Sequence, residues 1–340
     1  MNLIKLITTL LITIFSAITV NSQSREMVGK WVLDRTQFSN GKNLEINNPN
    51  YSSRIVYIIE PNSLKINGQK LKASFTDAQI ITDFRRINYF LKDKYLIVQD
   101  ENDDKISFLM KAKDFVEKYP EFSLNKVIRE NDTVYLANDL SDYIFQNDLS
   151  FENFINKNRM QRDRSSKSFR NIHFKVEFIL TKKNRIKNIK VLNSIDPGYD
   201  ADYINALMKS EKFLKNLTDK DLLITKENNH LKWRNDVTDN DEKLLYSLRR
   251  KGLESYDQNK FEQAISNFVK IKALDLKNDR FKTLVKESMI KLGVSYLAVG
   301  KIKSACDVFG GIGDTSDFEV RNYLIDFCSK PITNDSVTNK

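Results

Sequence analysis

GVSYLAVGKIKSACDVF, residues 293–309, decides how the C-terminal quarter of this chain folds. Gly293, Tyr296, Gly300, Ile302, Ala305 and Phe309 fall where two helices joined by a tight turn need them. The small residues let antiparallel helices approach closely, and the aromatics fill the space between hairpins. Upstream, Gly252, Phe261, Ala264 and Phe268 echo the arrangement. One hairpin cannot bury its apolar face alone, so such units stack and leave a concave surface for another protein or peptide. The region speaks for binding more than for chemistry.

Helical phase gives the same reading. Phe261, Ala264, Ile265, Phe268 and Ile271 recur at three- and four-residue steps, as one buried helix face requires. So do Ile302, Ala305, Cys306 and Phe309. Val320, Tyr323, Leu324, Phe327 and Cys328 repeat it once more, as expected of a helix that caps a stack. The second hairpin resembles a tetratricopeptide unit, whose pattern runs Gly, Tyr, Gly, a Tyr substitute, Ala, Phe. In the first hairpin Tyr256 stands one place late, and Leu276 replaces the usual terminal proline. Ala264 and Ala305 lie further apart than the usual period of about 34 residues, which predicts a longer connecting helix. The resemblance implies inner helices that present Tyr246, Arg249, Leu253, Glu287, Ile290 and Val294 to a partner segment.

At the other end, Lys5 precedes an apolar run over 6–20, closed by Asn21, Ser22 and Gln23. A basic start, an apolar stretch of about 15 residues and a small exit residue describe a secretory signal peptide. Val20 and Ser22 fill the small-residue positions, which predicts cleavage after Ser22. The run is short for a membrane anchor and contains Thr8, Thr9 and Thr13. No cysteine stands near the exit to carry a lipid, and no other segment is long and apolar enough to span a bilayer. The expected destination is a bacterial periplasm or the exterior, with no transmembrane segment in the mature chain. Oxidising compartments permit disulfides. Cys306 and Cys328 sit on apolar stripes of helices expected to pack antiparallel, so a bridge is favoured over two buried thiols.

The 55 basic and 45 acidic residues leave a net charge of +10, which suits weak contact with anionic envelope surfaces. The densest runs are Arg159, Arg162, Arg164, Lys167 and Arg170, then Lys182, Lys183, Arg185, Lys187 and Lys190. A solvated face is the expected account of both. Nucleic acid is a poor partner for an exported chain without a recognised binding module.

Short strand-like runs at 30–33, 55–59, 64–66, 79–81, 95–98 and 106–110, separated by polar turns, suggest a small sandwich or partial barrel. Gly29-Lys30-Trp31 before a strand resembles the opening of lipocalin-like domains; a filled barrel with Trp31 plugging one end is the reading preferred here. A helix is expected over 140–156. Ile172, Phe174, Val176, Phe178 and Leu180 then alternate with His173, Lys175, Glu177, Ile179 and Thr181, the period of a half-buried strand with His173 outward. A return strand carries Ile189 and Val191, Asp200 suits a helix cap, and 222–225 and 231–233 are further strand candidates. This ββαβ order resembles the C-terminal domain of TonB energy transducers, in the 174–178 strand, the 186–191 return, Ser194 and Asp200. Asn184 stands where that family's turn has glycine, and the Trp-x-Pro close is absent. The five scattered prolines make no periplasm-spanning spacer. The resemblance implies a fold and an edge strand for partners, and argues against energy transduction itself.

No catalytic constellation stands out. His173 and His230 are the only histidines, the cysteines lack C-x-x-C spacing, and no G-x-S-x-G elbow or phosphate-binding glycine loop occurs. Asp103 and Asp104 read as a solvated turn rather than a cation site. The sequence thus predicts an α+β multi-domain protein. It comprises a signal peptide over 1–22, a β-rich domain over 25–122 (lipocalin-like at best) and a TonB-like ββαβ domain over 135–236. Tetratricopeptide-like helices over 240–330 and a flexible tail over 331–340 complete it. The expected function is that of a non-enzymatic envelope interaction module or scaffold, without metal or cofactor. The alternative is a TonB-type coupling component that binds a receptor peptide by strand addition.

Overall fold

The computed structural model describes residues 26–61, 63–129, 132–138, 140, 141, 143–159, 172–230, 237, 239–277 and 279–329. The expected signal peptide, the tail, the strand at 231–233 and Arg162 to Arg170 lie outside the described residues. The chain divides into two compact units, the first ending at Pro120 and the second beginning at Glu121. It is α+β, with β structure first and helices last.

Eight strands build the first unit: β1 Gly29–Phe38, β2 Val56–Glu60, β3 Ser63–Ile66, β4 Gln69–Phe75, β5 Gln79–Thr82, β6 Arg86–Lys92, β7 Tyr95–Asp100 and β8 Lys105–Lys111. Each pairs antiparallel with the next, and β8 returns to β1, so the expected sandwich or partial barrel is a closed barrel without free edges. Period-two alternation fills it. Trp31, Tyr57, Ile59, Leu64, Ile80, Ile87, Tyr89, Leu96, Val98 and Leu109 form one interior cluster. Asn67 and Gly68, both at positive φ (49° and 85°), make the tight β3–β4 turn. Near the end where β1 starts, the Trp31 Nε1 donates to the Met27 carbonyl at 2.7 Å, and the Lys111 ammonium sits 4.6 Å from its ring.

A bulge in β1 between Leu33 and Arg35 releases Asp34 from the ladder. Its buried carboxylate accepts from the Tyr119 hydroxyl at 2.7 Å, the Tyr95 hydroxyl at 2.9 Å and Lys118 Nζ at 2.9 Å. These contacts clasp the end of helix α1, Ala112–Lys118, to the barrel, while Phe115 is fully buried beneath it. Burial pushes the Asp34 carboxyl up. The hydrogen bonds from Lys118 and Tyr119, the Lys118 charge and the Tyr95 hydroxyl outweigh it, so its pKa lies below the usual 3.8.

The second unit opens with a five-stranded sheet ordered β13-β12-β15-β10-β9. The strands are β9 Lys126–Arg129, β10 Asp132–Leu136, β12 Ile172–Leu180, β13 Ile186–Asn193 and β15 Leu222–His230. A two-stranded ribbon pairs β11 Tyr143–Phe145 with β14 Leu214–Asn216. Helices α2, Phe151–Asn158, and α3, Pro197–Ser210, pack on one sheet face through Phe154, Phe174, Val176, Phe178, Tyr203 and Leu207. The helix expected over 140–156 is thus only its second half. Residues 143–145 pair as a strand, and the Ser150 side chain starts the helix by accepting from the Asn153 amide at 3.2 Å. Asp196, rather than Asp200, caps α3 by accepting from the Tyr199 amide at 2.8 Å.

The strand expected to be half-buried is buried on both faces, because β12 lies between β13 and β15 and Ile179 packs with Val134 and Leu223 behind it. His173 is accordingly 9% exposed and held by Glu227 at 2.7 Å, not an outward surface histidine. Asn184 adopts φ 62°, which asparagine tolerates, and its Oδ1 accepts from the Asn216 amide at 2.7 Å.

Four helices follow: α4 Asn240–Asp257, α5 Phe261–Lys272, α6 Lys282–Ala298 and α7 Ile302–Ile312. A short turn of helix, Arg321–Tyr323, runs into a π-helical turn, Leu324–Cys328. Cys306 and Cys328 are joined by a disulfide, with Cα atoms 5.6 Å apart.

Candidate partner-binding site

The helical region is one hairpin written twice. Gly252 and Gly293, Asn259 and Gly300, Ala264 and Ala305, and Phe268 and Phe309 each stand 41 positions apart. Asp239 starts α4 by accepting from the Asp241 and Glu242 amides at 2.9 and 3.0 Å. Both first helices end on a residue at positive φ, Asn259 at 56° and Gly300 at 76°. The next amides, of Lys260 and Lys301, donate at 2.8 Å to the carbonyls of Ser255 and Tyr296.

Within each hairpin a glycine faces a buried phenyl ring. A Cβ on Gly252 would meet Phe268 at 2.4 Å, and one on Gly293 would meet Phe309 at 2.5 Å. Only glycine admits this approach. The surplus over the usual repeat length lies in the segment from Ala273 to Phe281, including the 3-10 turn Asp279–Phe281, and not in a longer helix. Leu276 lies in that connector.

The first helices of the two hairpins, α4 and α6, are neighbours. Arg249 on α4 donates to Glu287 on α6 at 2.6 Å. Tyr246 meets Phe281 edge-on, ring centroids 6.2 Å apart. Leu253 and Ile290 are half-buried on the same helices, and Glu287 is exposed. Val294 is the exception among the expected contact residues. It is 1% exposed, whereas Leu253, its counterpart 41 positions earlier, is half-buried. It supports the surface without forming part of it.

Two further residues, Arg280 and Glu242, lie beneath this face and are not singled out by the sequence pattern. Arg280 is 2% exposed and donates to Glu242 at 2.7 Å, with its guanidinium 4.4 Å from the Phe281 ring. The turn that carries Arg280 lies against β12. Burial raises the Tyr246 hydroxyl pKa against the opposing charge of Arg280. Nothing in spacing marks Arg280 and Glu242 as partners; the one available signal is that each lies near a helix start. Further along, the Lys291 ammonium lies 4.5 Å from the Tyr256 ring, and burial lowers its pKa. Arginine–carboxylate pairs beside half-buried aliphatic residues suit recognition of a polypeptide segment.

A second surface lies on the sheet. β10 runs parallel to β15 only from Tyr135–Leu222 to Leu136–Leu223, whereas β12 accompanies β15 as far as His230. The Ala137 amide donates to the Leu223 carbonyl at 2.9 Å, so by alternation the backbone groups of Thr225 and Glu227 face the same outer side. Beside this edge lies a cavity of about 400 Å³ whose walls include Phe122, Asn125, Asn138, Tyr143, Ile224 and Lys226.

Other candidates are absorbed by local pairing. Asp103 and Asp104 both hold Lys105, at 2.7 and 3.3 Å. The Arg159 guanidinium lies 4.3 Å from the Tyr199 ring, and Lys187 pairs with Asp132 at 3.0 Å. Among the described residues, no three His, Cys, Asp or Glu side chains converge as a metal site, and no helix is long and apolar enough to cross a membrane. Comparison with models of protein families, with curated proteins and with solved structures finds no match.

Proposed function

We propose that this chain is an exported, non-enzymatic interaction protein of a bacterial envelope, and that its tetratricopeptide-like hairpins hold a polypeptide partner. The observation that carries the reading is the pairing of α4 with α6. Arg249 and Glu287 bridge them at 2.6 Å, with Tyr246, Leu253 and Ile290 alongside. Aromatic and arginine side chains on a rigid scaffold are the usual anchors of protein recognition. A segment with apolar side chains against Leu253 and Ile290 and a carboxylate able to recruit Arg249 fits this surface. A pull-down from periplasmic extract, comparing wild type with Tyr246→Ala plus Arg249→Ala, tests it. Loss of specific partners supports the groove, and an unchanged partner set counts against it.

A second reading is favoured by β15, which among the described residues is registered with β10 only at Leu222 and Leu223. In a TonB-type coupling role, a receptor peptide adds as a strand along Thr225 to Asn229, beyond the two residues that β10 already occupies. The neighbouring cavity takes its alternate side chains. Thr225→Pro removes one outward amide, so peptide affinity measured by calorimetry should fall sharply. Undiminished affinity would remove strand addition at this edge.

A further inference from the structure

The end of the barrel opposite Trp31 is built differently from the end that Trp31 closes. There the β3–β4, β5–β6 and β7–β8 turns stand side by side. The middle turn lifts Phe84 to 84% exposure, the highest among the described large apolar side chains that stand exposed. Thr82 fixes that turn. Its hydroxyl donates to the Arg85 carbonyl at 3.0 Å and accepts from the Arg85 amide at 3.1 Å, so the ring stands on a rigid apex.

A groove lies on each side of the turn, and Phe84 is a wall of both. Toward β3–β4 the groove measures about 410 Å³ and its apolar walls are Ile66 and Leu71. Both residues pack on the barrel interior yet are only half-buried, so the apolar core reaches the surface here. Toward β7–β8 the groove measures about 770 Å³ and is lined by Asp83, Asp100, Glu101 and Asp103. Its cations are largely engaged. Arg85 is held by the Asp100 Oδ2 at 3.2 Å, and Lys105 by Asp103 at 2.7 Å, which leaves Arg86. Among the described residues, Asp83 and Glu101 meet no basic side chain within ion-pair distance, and the buried Asp100 Oδ1 accepts no hydrogen bond. Burial raises the Asp100 carboxyl pKa against the charge of Arg85, so this carboxylate is short of positive charge. On a chain of net charge +10, acid is in excess in this groove.

We propose that the two grooves together hold an extended peptide segment bearing an aliphatic and a basic side chain. The aliphatic side chain lies against Ile66 and Leu71, and the arginine or lysine lies between the Phe84 ring and the carboxylates of Asp83 and Asp100. Such a cation gains from the ring face and from the acids together. Neighbouring hairpins stand two strand spacings apart, about 10 Å, and an extended chain covers that in about three residues. An acidic segment would be repelled by Asp83 and Glu101. A small amine would answer the charge and leave the apolar groove in water.

The test is fluorescence anisotropy of the full chain with a labelled peptide of Leu-Gly-Gly-Arg repeats. Matched peptides carry glutamate for arginine, or glycine for leucine. The leucine–arginine peptide should bind best, and added salt should weaken it because exposed charges are screened within about 10 Å. Phe84→Ala should weaken it about tenfold, through loss of a ring that touches both side chains. Asp83→Asn with Glu101→Gln should weaken it by a similar factor. Phe90→Ala, an exposed ring elsewhere on β6, should leave it in place. Tyr246→Ala with Arg249→Ala should also leave it in place, which separates this site from the helical groove. Phe84, Asp83, Glu101 and Phe90 are exposed, so each barrel variant keeps its thermal melt. Equal binding of either matched peptide, no binding of any, or unchanged affinity in both the Phe84 and the carboxylate variants overturns the proposal. So does a dimer that Phe84→Ala dissociates while peptide affinity stays constant, which would give the grooves to a second copy of the chain.

Discussion

Gly293→Ala tests the packing on which the helical stack depends. In an unconstrained helix interior, alanine is preferred to glycine by about 1 kcal/mol, so the bare expectation is stabilisation. The surroundings reverse it. The new Cβ would stand 2.5, 2.6 and 3.0 Å from three ring carbons of Phe309. Carbon atoms in ordinary contact are roughly 3.5–4.0 Å apart, so the ring must withdraw by about 1 Å. It has little room. Phe309 is fully buried and lies stacked on Tyr323, centroids 4.8 Å apart, in a segment tied back to α7 through Cys306–Cys328. Overpacking of this kind costs about 1–3 kcal/mol, which leaves a net loss of up to about 2 kcal/mol after the helix preference. Gly310→Ala in α7 is the internal control. Nothing lies within 4 Å of its added Cβ, so it should stabilise by up to about 1 kcal/mol. Urea unfolding followed by far-ultraviolet circular dichroism compares the two. Phe309→Leu in the Gly293→Ala background should recover part of the loss. A midpoint that rises for Gly293→Ala as it does for Gly310→Ala would refute the close contact.

Reduction of Cys306–Cys328, which encloses a loop with a sequence separation of 22, should lower stability by about 3 kcal/mol; an unchanged urea midpoint with and without reductant would argue that the bridge constrains nothing. Gly300→Ala should cost about 1–2 kcal/mol although its Cβ meets nothing, because φ is 76° there, while Asn259→Gly, at φ 56°, should be neutral or stabilising. Thermal melts of the pair separate backbone strain from packing. Asp34 has a folded pKa below its usual 3.8, so the unfolded chain binds the proton more tightly. Its stabilisation is therefore present above about pH 4 and is lost as pH falls through the lower folded value. Asp34→Asn should destabilise the barrel by about 2 kcal/mol at neutral pH, and the gap to wild type should close in acid. A gap independent of pH would assign the effect to packing rather than charge.

The helical hairpins were legible in the sequence because their signals are local. Ala264, Phe268, Ala305 and Phe309 recur at helical spacing, and glycine is demanded wherever a ring presses against a backbone. Six of the eight barrel strands announced themselves for the same reason, while Gln69–Phe75 and Arg86–Lys92 did not. What short-range pattern could not supply was decided by contacts between distant residues. Barrel closure rests on β1 pairing with β8, Trp31 beside Lys111, and no local signal encodes that ladder. Residues 143–145 satisfy a helical stripe equally well, but Leu214–Asn216 claims them as a strand. His173 follows the alternation of an exposed face and is nonetheless buried, since exposure depends on what covers the second side of β12. Val294 changed meaning in the same way, withdrawn into the core, and Arg280, unmarked by any pattern, was brought to Glu242. Periodicity states which residues share a face; only the assembled fold states what that face meets, because burial and pairing are properties of neighbours remote in the chain.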